Sequence, residues 1–468
     1  MSAMTNIRQF FGVQDMTVGR PMTKLIQFSV PLLIGNLAQQ LYNTVDSIIV
    51  GKYIGDTALA AVGTAGPILN LLLVLFMGIA TGASILSSQY FGAKDREKLS
   101  RVVGSTIILT AASGLLMMAV GYFCSPFLIS LVAPPEDVAA GAIIYLQIIF
   151  IGVLGSAAYN IFAGVLRGMG DSVYPLFYLI LASLINVVLD ILFVSRFRMG
   201  IAGVAWATII AQAVSGTLCL IRLCGMKHLI DLNRKTLVPD GPLTKQLCLL
   251  GLPAGITQAI FSMSSIVVQS LTNSLGTAVI AANVAVMRVD GFAMMPNFTF
   301  GTASTTYVGQ NIGAKRVDRI HQGMKDLLKL ALGVSTVLVL CILLFGHILI
   351  GMFTETPDVI NIGLRGLHWL ALGYIVFSVS QVLQGAMRGA GETMIPMWIS
   401  IITTILIRMP LAYLLVWFSR SETWPKGSPD GLFASMLISW VLGMLMSVFT
   451  YMRGSWKRKL PPDLRTML

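Results

Sequence analysis

Charge is what this sequence has least of. Of its 468 residues only 11% are Asp, Glu, Lys or Arg, against about 25% in soluble domains, and 56% are hydrophobic. The mean hydropathy is +0.81. A chain so poor in charge cannot cover itself against water, which excludes a soluble globular domain and leaves the bilayer as its solvent. Acids are scarcer than bases, 20 against 32, for a net charge of +12. That excess does not imply a nucleic-acid partner, because the basic residues sit in short connections between apolar runs. Cysteine is limited to Cys124, Cys219, Cys224, Cys248 and Cys341, an odd number without a C-x-x-C pair, so neither a disulfide framework nor a thiolate metal site is expected. The four histidines (His228, His321, His347, His368) are isolated and lack ligand spacing. With no nucleophile beside a base, no metal cluster and no phosphate loop, the chain is not expected to be an enzyme or to carry a cofactor.

What is present is apolar sequence in lengths of about 20 residues or more, the unit of a membrane helix. Twelve runs are expected to span: 25–50, 57–87, 99–124, 138–162, 174–195, 202–224, 245–272, 278–308, 322–351, 358–384, 396–418 and 431–453. The predicted fold class is an all-α membrane protein with twelve transmembrane helices in two pseudo-symmetric six-helix lobes. Residues 1–24 are polar and the first apolar run is long enough to span, so no cleavable leader is expected. With the N-terminus inside, the outer connections hold only Lys52, Arg196, Arg198, Arg365, Arg420 and Lys426. Arg288 and Arg408 fall within spans, and the other basic residues lie on the cytoplasmic side. The positive-inside rule therefore puts both termini in the cytoplasm, with the plasma (inner) membrane as the expected location. The expected organisation is an N-terminal segment (1–24), an N-lobe (25–224), a cytoplasmic linker (225–244), a C-lobe (245–453) and a cytoplasmic tail (454–468).

The division into lobes rests on a repeat. GVLRGMGDSVYP (164–175) returns as GAMRGAGETMIP (385–396), with Arg167 matched to Arg388, 221 residues later. At that same offset QYFGAK (89–94) returns as QNIGAK (310–315). Six spans precede each restart, so both halves enter the membrane from one side, as parallel repeats do. The repeated R-G-x-G segments read as tight turns with a positive-inside anchor. Two such lobes make a transporter architecture working by alternating access.

Three acids fall deep in spans: Asp46, Asp190 and Asp290. A charge at a helix centre costs about 2.5–3.5 kcal/mol on insertion scales, and such residues usually face an interior cavity. In LASLINVVLDILFV (181–194) Asn186 and Asp190 stand one helical turn apart, on one face. Asp46 stands one turn from Tyr42, with Gln39, Gln40 and Asn43 close in the chain. Thr208, in the next span, can approach Asp190 because the fifth and sixth spans form an antiparallel hairpin. Carboxylate, amide, hydroxyl and phenol oxygens suit Na⁺ at Asp190, Asn186, Thr208 and Tyr42. A proton on the carboxylates is the open alternative, since burial favours an acid's neutral form. The second lobe has no such set: the repeat maps Asp46 to Val267, Asn186 to Ile407 and Asp190 to Leu411. It has instead Arg288, Asp290 and Arg408, for which a buried charge pair or a substrate contact is expected. Met residues such as Met117, Met118, Met294 and Met295, and the aromatics Tyr145, Tyr159, Phe292 and Phe298, are candidates to line a cavity for flat cations.

Over about residues 20–455 the sequence resembles the multidrug and toxic compound extrusion (MATE) transporters. The resemblance is carried by PLLIGNLAQQLYNTVDSIIVGKYIGDTALAAVG (31–63), the repeated Q-x-x-GAK turns and the two R-G-x-G segments. It implies a V-shaped pair of six-helix lobes exporting small organic, often cationic, compounds in exchange for Na⁺ or H⁺. In prokaryotic members with an N-lobe cation site, the residues acting together map onto Asp46, Asn186, Asp190 and Thr208, with Tyr42 beside them. Some members also use acids in the seventh and tenth helices; here the interiors of both spans lack one. A flippase for lipid-linked oligosaccharides is the alternative reading, although only Arg288 and Arg408 are available to meet a pyrophosphate. Membrane lipid is the expected surround, and a monomer the expected state.

Overall fold

The computed structural model describes residues 12–132, 135–422, 424–460 and 462–465, apart from the side chains at 47, 56, 59, 71, 72, 137, 462 and 463. Every regular element among them is helical. The first half contains α1 (Pro21–Tyr53), α2 (Asp56–Gly92), α3 (Arg96–Val132), α4 (Glu136–Ile151), α5 (Val153–Gly168), α6 (Val173–Ile191) and α7 (Gly200–Gly225). The second contains α8 (Gly241–Ser274), α9 (Thr277–Gly313), α10 (Val317–Gly351), α11 (Pro357–Gly389), α12 (Met394–Ser400), α13 (Met409–Phe418) and α14 (Asp430–Met452). Among the described residues ten helices are long and apolar enough to cross a bilayer. The pair α4 and α5, bent by 53°, makes one further span. The 33-residue α1 completes the twelve, six in each pseudo-symmetric lobe.

Three departures from regular helix were not expected. The fourth span breaks at Gly152, where an added Cβ would fall 2.2 Å from Ile209 Cβ, so α7 occupies the space a side chain would need. After Asp190 the sixth helix widens into a π segment, Leu192–Arg196. A second π segment, Ile401–Arg408, separates α12 from α13. Pro410 stands just beyond it and cannot donate a backbone bond to the preceding turn.

The repeat is visible in the backbone. Gly55 and Gly276 have φ of 112° and 109°, Lys94 and Lys315 of 54° and 58°, and Gly170 and Gly391 of 89° and 88°. Each pair is 221 residues apart. The helix crossings repeat as well. A Cβ on Gly164 or Gly168 of α5 would lie 2.7 Å from Ala80 O or 2.4 Å from Ser84 O of α2. On Gly385 or Gly389 of α11 it would lie 2.3 Å from Gly301 O or 2.5 Å from Thr305 O of α9. In lipid, where apolar surface gains little by leaving its solvent, such close approach between small residues is what holds helices together. In the second lobe Ser304 Oγ donates to Val382 O (2.7 Å) and Thr305 Oγ1 to Gly385 O (3.0 Å), reinforcing the crossing. The R-G-x-G segments therefore hold both a turn glycine and a packing glycine, and Arg167 and Arg388 within them are half-buried.

Contacts divide the chain into two compact units, one centred on Ile26–Gly255 and the other on the chain from Ile256 onward, which also takes Thr17–Leu25. The division falls within α8. Within the first unit Gly82 of α2 lies so close to α8 that a Cβ would meet Leu247 O at 2.4 Å. The 225–244 segment is itself docked on α3: Arg96 pairs with Asp231 (2.6 Å), and Gly104 leaves room for Thr236 O.

Candidate functional site

In the first unit the expected set comes together. Tyr42 and Asp46 stand one turn apart on α1, Asn186 and Asp190 on α6, and Thr208 on α7. Asn186 and Asp190 are completely buried. With its amide oriented to satisfy both partners, Asn186 donates through Nδ2 to Asp190 Oδ2 (2.8 Å) and accepts through Oδ1 from the Thr208 backbone N–H (3.2 Å). It thus fixes Asp190 within α6 and ties α6 to α7. The carboxyl groups of Asp46 and Asp190 lie together although their helices are far apart in sequence, and Tyr42 lies beside Thr208. Asp46 Oδ1, Asp190 Oδ1 and Thr208 Oγ1 are buried without a hydrogen-bond partner. A buried acceptor left in that condition costs about 1–3 kcal/mol, more if charged. All three are hard oxygens, the donor chemistry of an alkali cation or of a shared proton.

Two neighbours were not assigned to this set from sequence. Tyr145 of α4 is buried close enough to Asp46, Tyr42 and Asp190 to feel their charge. Gln212 stands one turn beyond Thr208 on α7, and its Oε1 is also buried and unpartnered. The i, i+4 spacing from Thr208 was a readable signal for Gln212. Nothing distinguished Tyr145 from the other aromatics. Tyr145 itself belongs to an apolar cluster that includes Val50, Val194, Val204, Ala205 and Ile209.

The second unit holds an open-sided chamber of about 340 Å³ lined by residues from α8 onward. Asp290 of α9 and Arg408, the last residue of the π segment, both line it, as do Gln258, Gln269 and Asn283. Phe298, Phe377 and Trp440 supply aromatic wall; Phe377 packs on Phe298 at 5.9 Å and on Trp440 at 5.3 Å between ring centroids. Asp290 lies beside Tyr374 and feels Arg408, but among the described residues no ion pair within 4.0 Å joins Asp290 to Arg408. Arg408 instead directs Nη2 to Met436 Sδ (3.4 Å). Arg288 does not line the chamber; it points from an exposed face of α9. Phe292 is likewise 42% exposed, and Tyr159 packs by Pro175 and Arg167.

A membrane protein with two repeated six-helix lobes and ionisable groups gathered inside each belongs to the class of secondary transporters. The MatE family model matches residues 31–192 and 253–414, once in each half. The chain belongs to the MATE family of multidrug efflux transporters. It is 31% identical over 445 residues to "Probable multidrug resistance protein YpnP" of Bacillus subtilis (strain 168), covering 95% of this chain and 97% of that one. It is 30% identical over 442 residues to "Probable multidrug resistance protein YoeA" of the same organism, covering 92% and 93%. Among solved structures, a MATE transporter in complex with MaL6 superposes with a TM-score of 0.87 at 23% identity, over 96% of this chain and 99% of that one. A transporter from Pyrococcus furiosus superposes at 0.85 over 94% and 98%, also at 23% identity.

Proposed function

We propose that this protein is an antiporter of the plasma membrane that exports small organic compounds, often cationic, in exchange for Na⁺ or H⁺ by alternating access of its two lobes. The observation that carries the reading is the pair of carboxyl groups, Asp46 and Asp190, brought together from α1 and α6 with buried oxygens left unsatisfied. Two acids are an expensive way to pack helices, since each loses its hydration. They become favourable when a cation or a proton neutralises them. Asp46, Asp190 and Thr208 would hold the ion, with Tyr42 beside them. Asn186 orients Asp190 and links it to α7. Ion binding then draws α1, α6 and α7 together, and substrate loading must favour the arrangement that the ion disfavours. Coupling requires each ligand to bind the two arrangements unequally. The family relationship and the multidrug names of the relatives support small organic substrates.

The test is efflux of a fluorescent organic cation from proteoliposomes under separately imposed Na⁺ and proton gradients. One gradient should drive export by the wild type, and Asp190→Asn or Asp46→Asn should reduce that rate at least tenfold. Gradient-driven export that persists unchanged in both variants would remove the carboxyl pair from the coupling mechanism.

A further inference from the structure

The cavity of the second unit contains a pair of opposite charges that the first repeat lacks. At the equivalent positions of that repeat Asp290 becomes Leu69 and Arg408 becomes Val187. The pair is thus particular to the second half. The two charges feel each other without closing into a direct ion pair. Among the described residues they form no ion pair, Asp290 Oδ1 and Arg408 Nε are buried without hydrogen-bond partners, and the contact made by Arg408 Nη2 is a thioether, a weak acceptor. Both groups line one cavity of about 340 Å³, within the range of small-molecule sites. Its walls carry the packed rings of Phe298, Phe377 and Trp440 and the soft side chains of Met287, Met294 and Met436.

We infer that this chamber is a binding site for a small amphoteric aromatic compound, its ammonium group on Asp290 and its carboxylate on Arg408. The inference deepens the export reading, on which it rests for the direction of transport, by naming the residues that select substrate charge. A monocation placed in the chamber gains Asp290 but meets the guanidinium nearby. A monoanion gains Arg408 but meets the carboxylate. A compound bearing both signs satisfies both groups at once, and a guanidinium is well matched to a carboxylate. The aromatic body gains the ring and Met surfaces between. The π segment Ile401–Arg408 places Arg408 at the cavity wall, and such segments recur at functional positions.

The test is equilibrium binding, by calorimetry on the purified full chain in detergent, of three probes sharing one ring: tryptamine (cation), indole-3-propionate (anion) and tryptophan (both charges). Tryptophan should bind at least tenfold more tightly than either mono-ion. Arg408→Gln should erase its advantage over tryptamine, and Asp290→Asn its advantage over indole-3-propionate, while Arg408→Lys, which restores the charge, should restore the order. Melting temperatures within a few degrees of wild type would show that the variants are folded. Equal affinity for tryptamine and tryptophan in the wild type would overturn the proposal. So would variants that weaken all three probes alike, the behaviour of two charges that merely hold the lobe together. No gradient enters this measurement, so a failure of ion-coupled export leaves it standing, and a negative result here leaves the Asp46–Asp190 coupling untouched.

Discussion

Asp171 shows how one buried acid outside the spans is held. It lies in the connection between α5 and α6, wholly buried, and Arg222 of α7 pairs with its Oδ2 at 3.1 Å. The Arg222 guanidinium also stacks over the Tyr174 ring at 3.7 Å. The other carboxylate oxygen accepts from the Tyr174 N–H (3.2 Å) and caps α6. Burial pushes this carboxyl above the usual range, and Arg222 is the main opposing influence. Arg222→Gln leaves that carboxylate without its cation. Breaking a fully buried pair costs about 3–5 kcal/mol, and the 26% exposure of Arg222 reduces the expected loss to about 1–3 kcal/mol. Because the folded-state pKa is raised, the ionised form disfavours the fold, and protonation removes that cost. The melting temperature of Arg222→Gln should fall furthest below wild type at neutral and alkaline pH, and the gap should narrow on acidification. A gap independent of pH would mean that Arg222 acts through its stacking on Tyr174 instead. The repeat sets Gly443 where Arg222 stands, so Glu392, which caps α12 through Met394 N and Ile395 N, does so without that arginine.

At the scale of elements, the paired glycine crossings carry the fold. Because the atoms in the way at Gly168 and Gly389 are backbone carbonyls, no rotamer change can relieve an added methyl group. Gly168→Ala and Gly389→Ala should each destabilise by about 1–3 kcal/mol through overpacking. Gly333→Ala on α10, where nothing lies within 4 Å, should fall within about 0.5 kcal/mol of wild type. Thermal unfolding of the three variants in detergent measures the contrast, and equal effects at all three positions would contradict the crossing argument. Helix number, the repeat and the acid set were legible because twenty-residue apolar runs and the few charges inside them stand out against any background. The break at Gly152 and the two π segments were not. In a membrane both lipid-facing and interior faces are apolar, so the periodicity that marks a soluble helix is muted. Pro410 was a visible signal for a disturbed turn, but which turn would widen depends on how α14 packs. Among the site residues Asp46, Asn186, Asp190 and Thr208 are polar in apolar runs and so readable, whereas Tyr145 and Tyr374 look like ordinary core aromatics until their neighbours are seen.

At the scale of the whole molecule, the distribution of Lys and Arg predicts sidedness. In a cysteine-free background, Lys235→Cys, exposed in the segment before α8, should react with a membrane-impermeant maleimide only in inside-out vesicles. Lys426→Cys, exposed between α13 and α14, should react only in right-side-out vesicles. The reverse pattern would invert the orientation. The two halves share their turns to within a few degrees of φ and their glycine crossings position for position, yet Val267, Ile407 and Leu411 stand where the first half has Asp46, Asn186 and Asp190. A scaffold copied whole and chemistry kept single is the signature of duplication followed by specialisation. Each copy inherited the means of standing in the membrane, which left the other copy's interior free to change its trade.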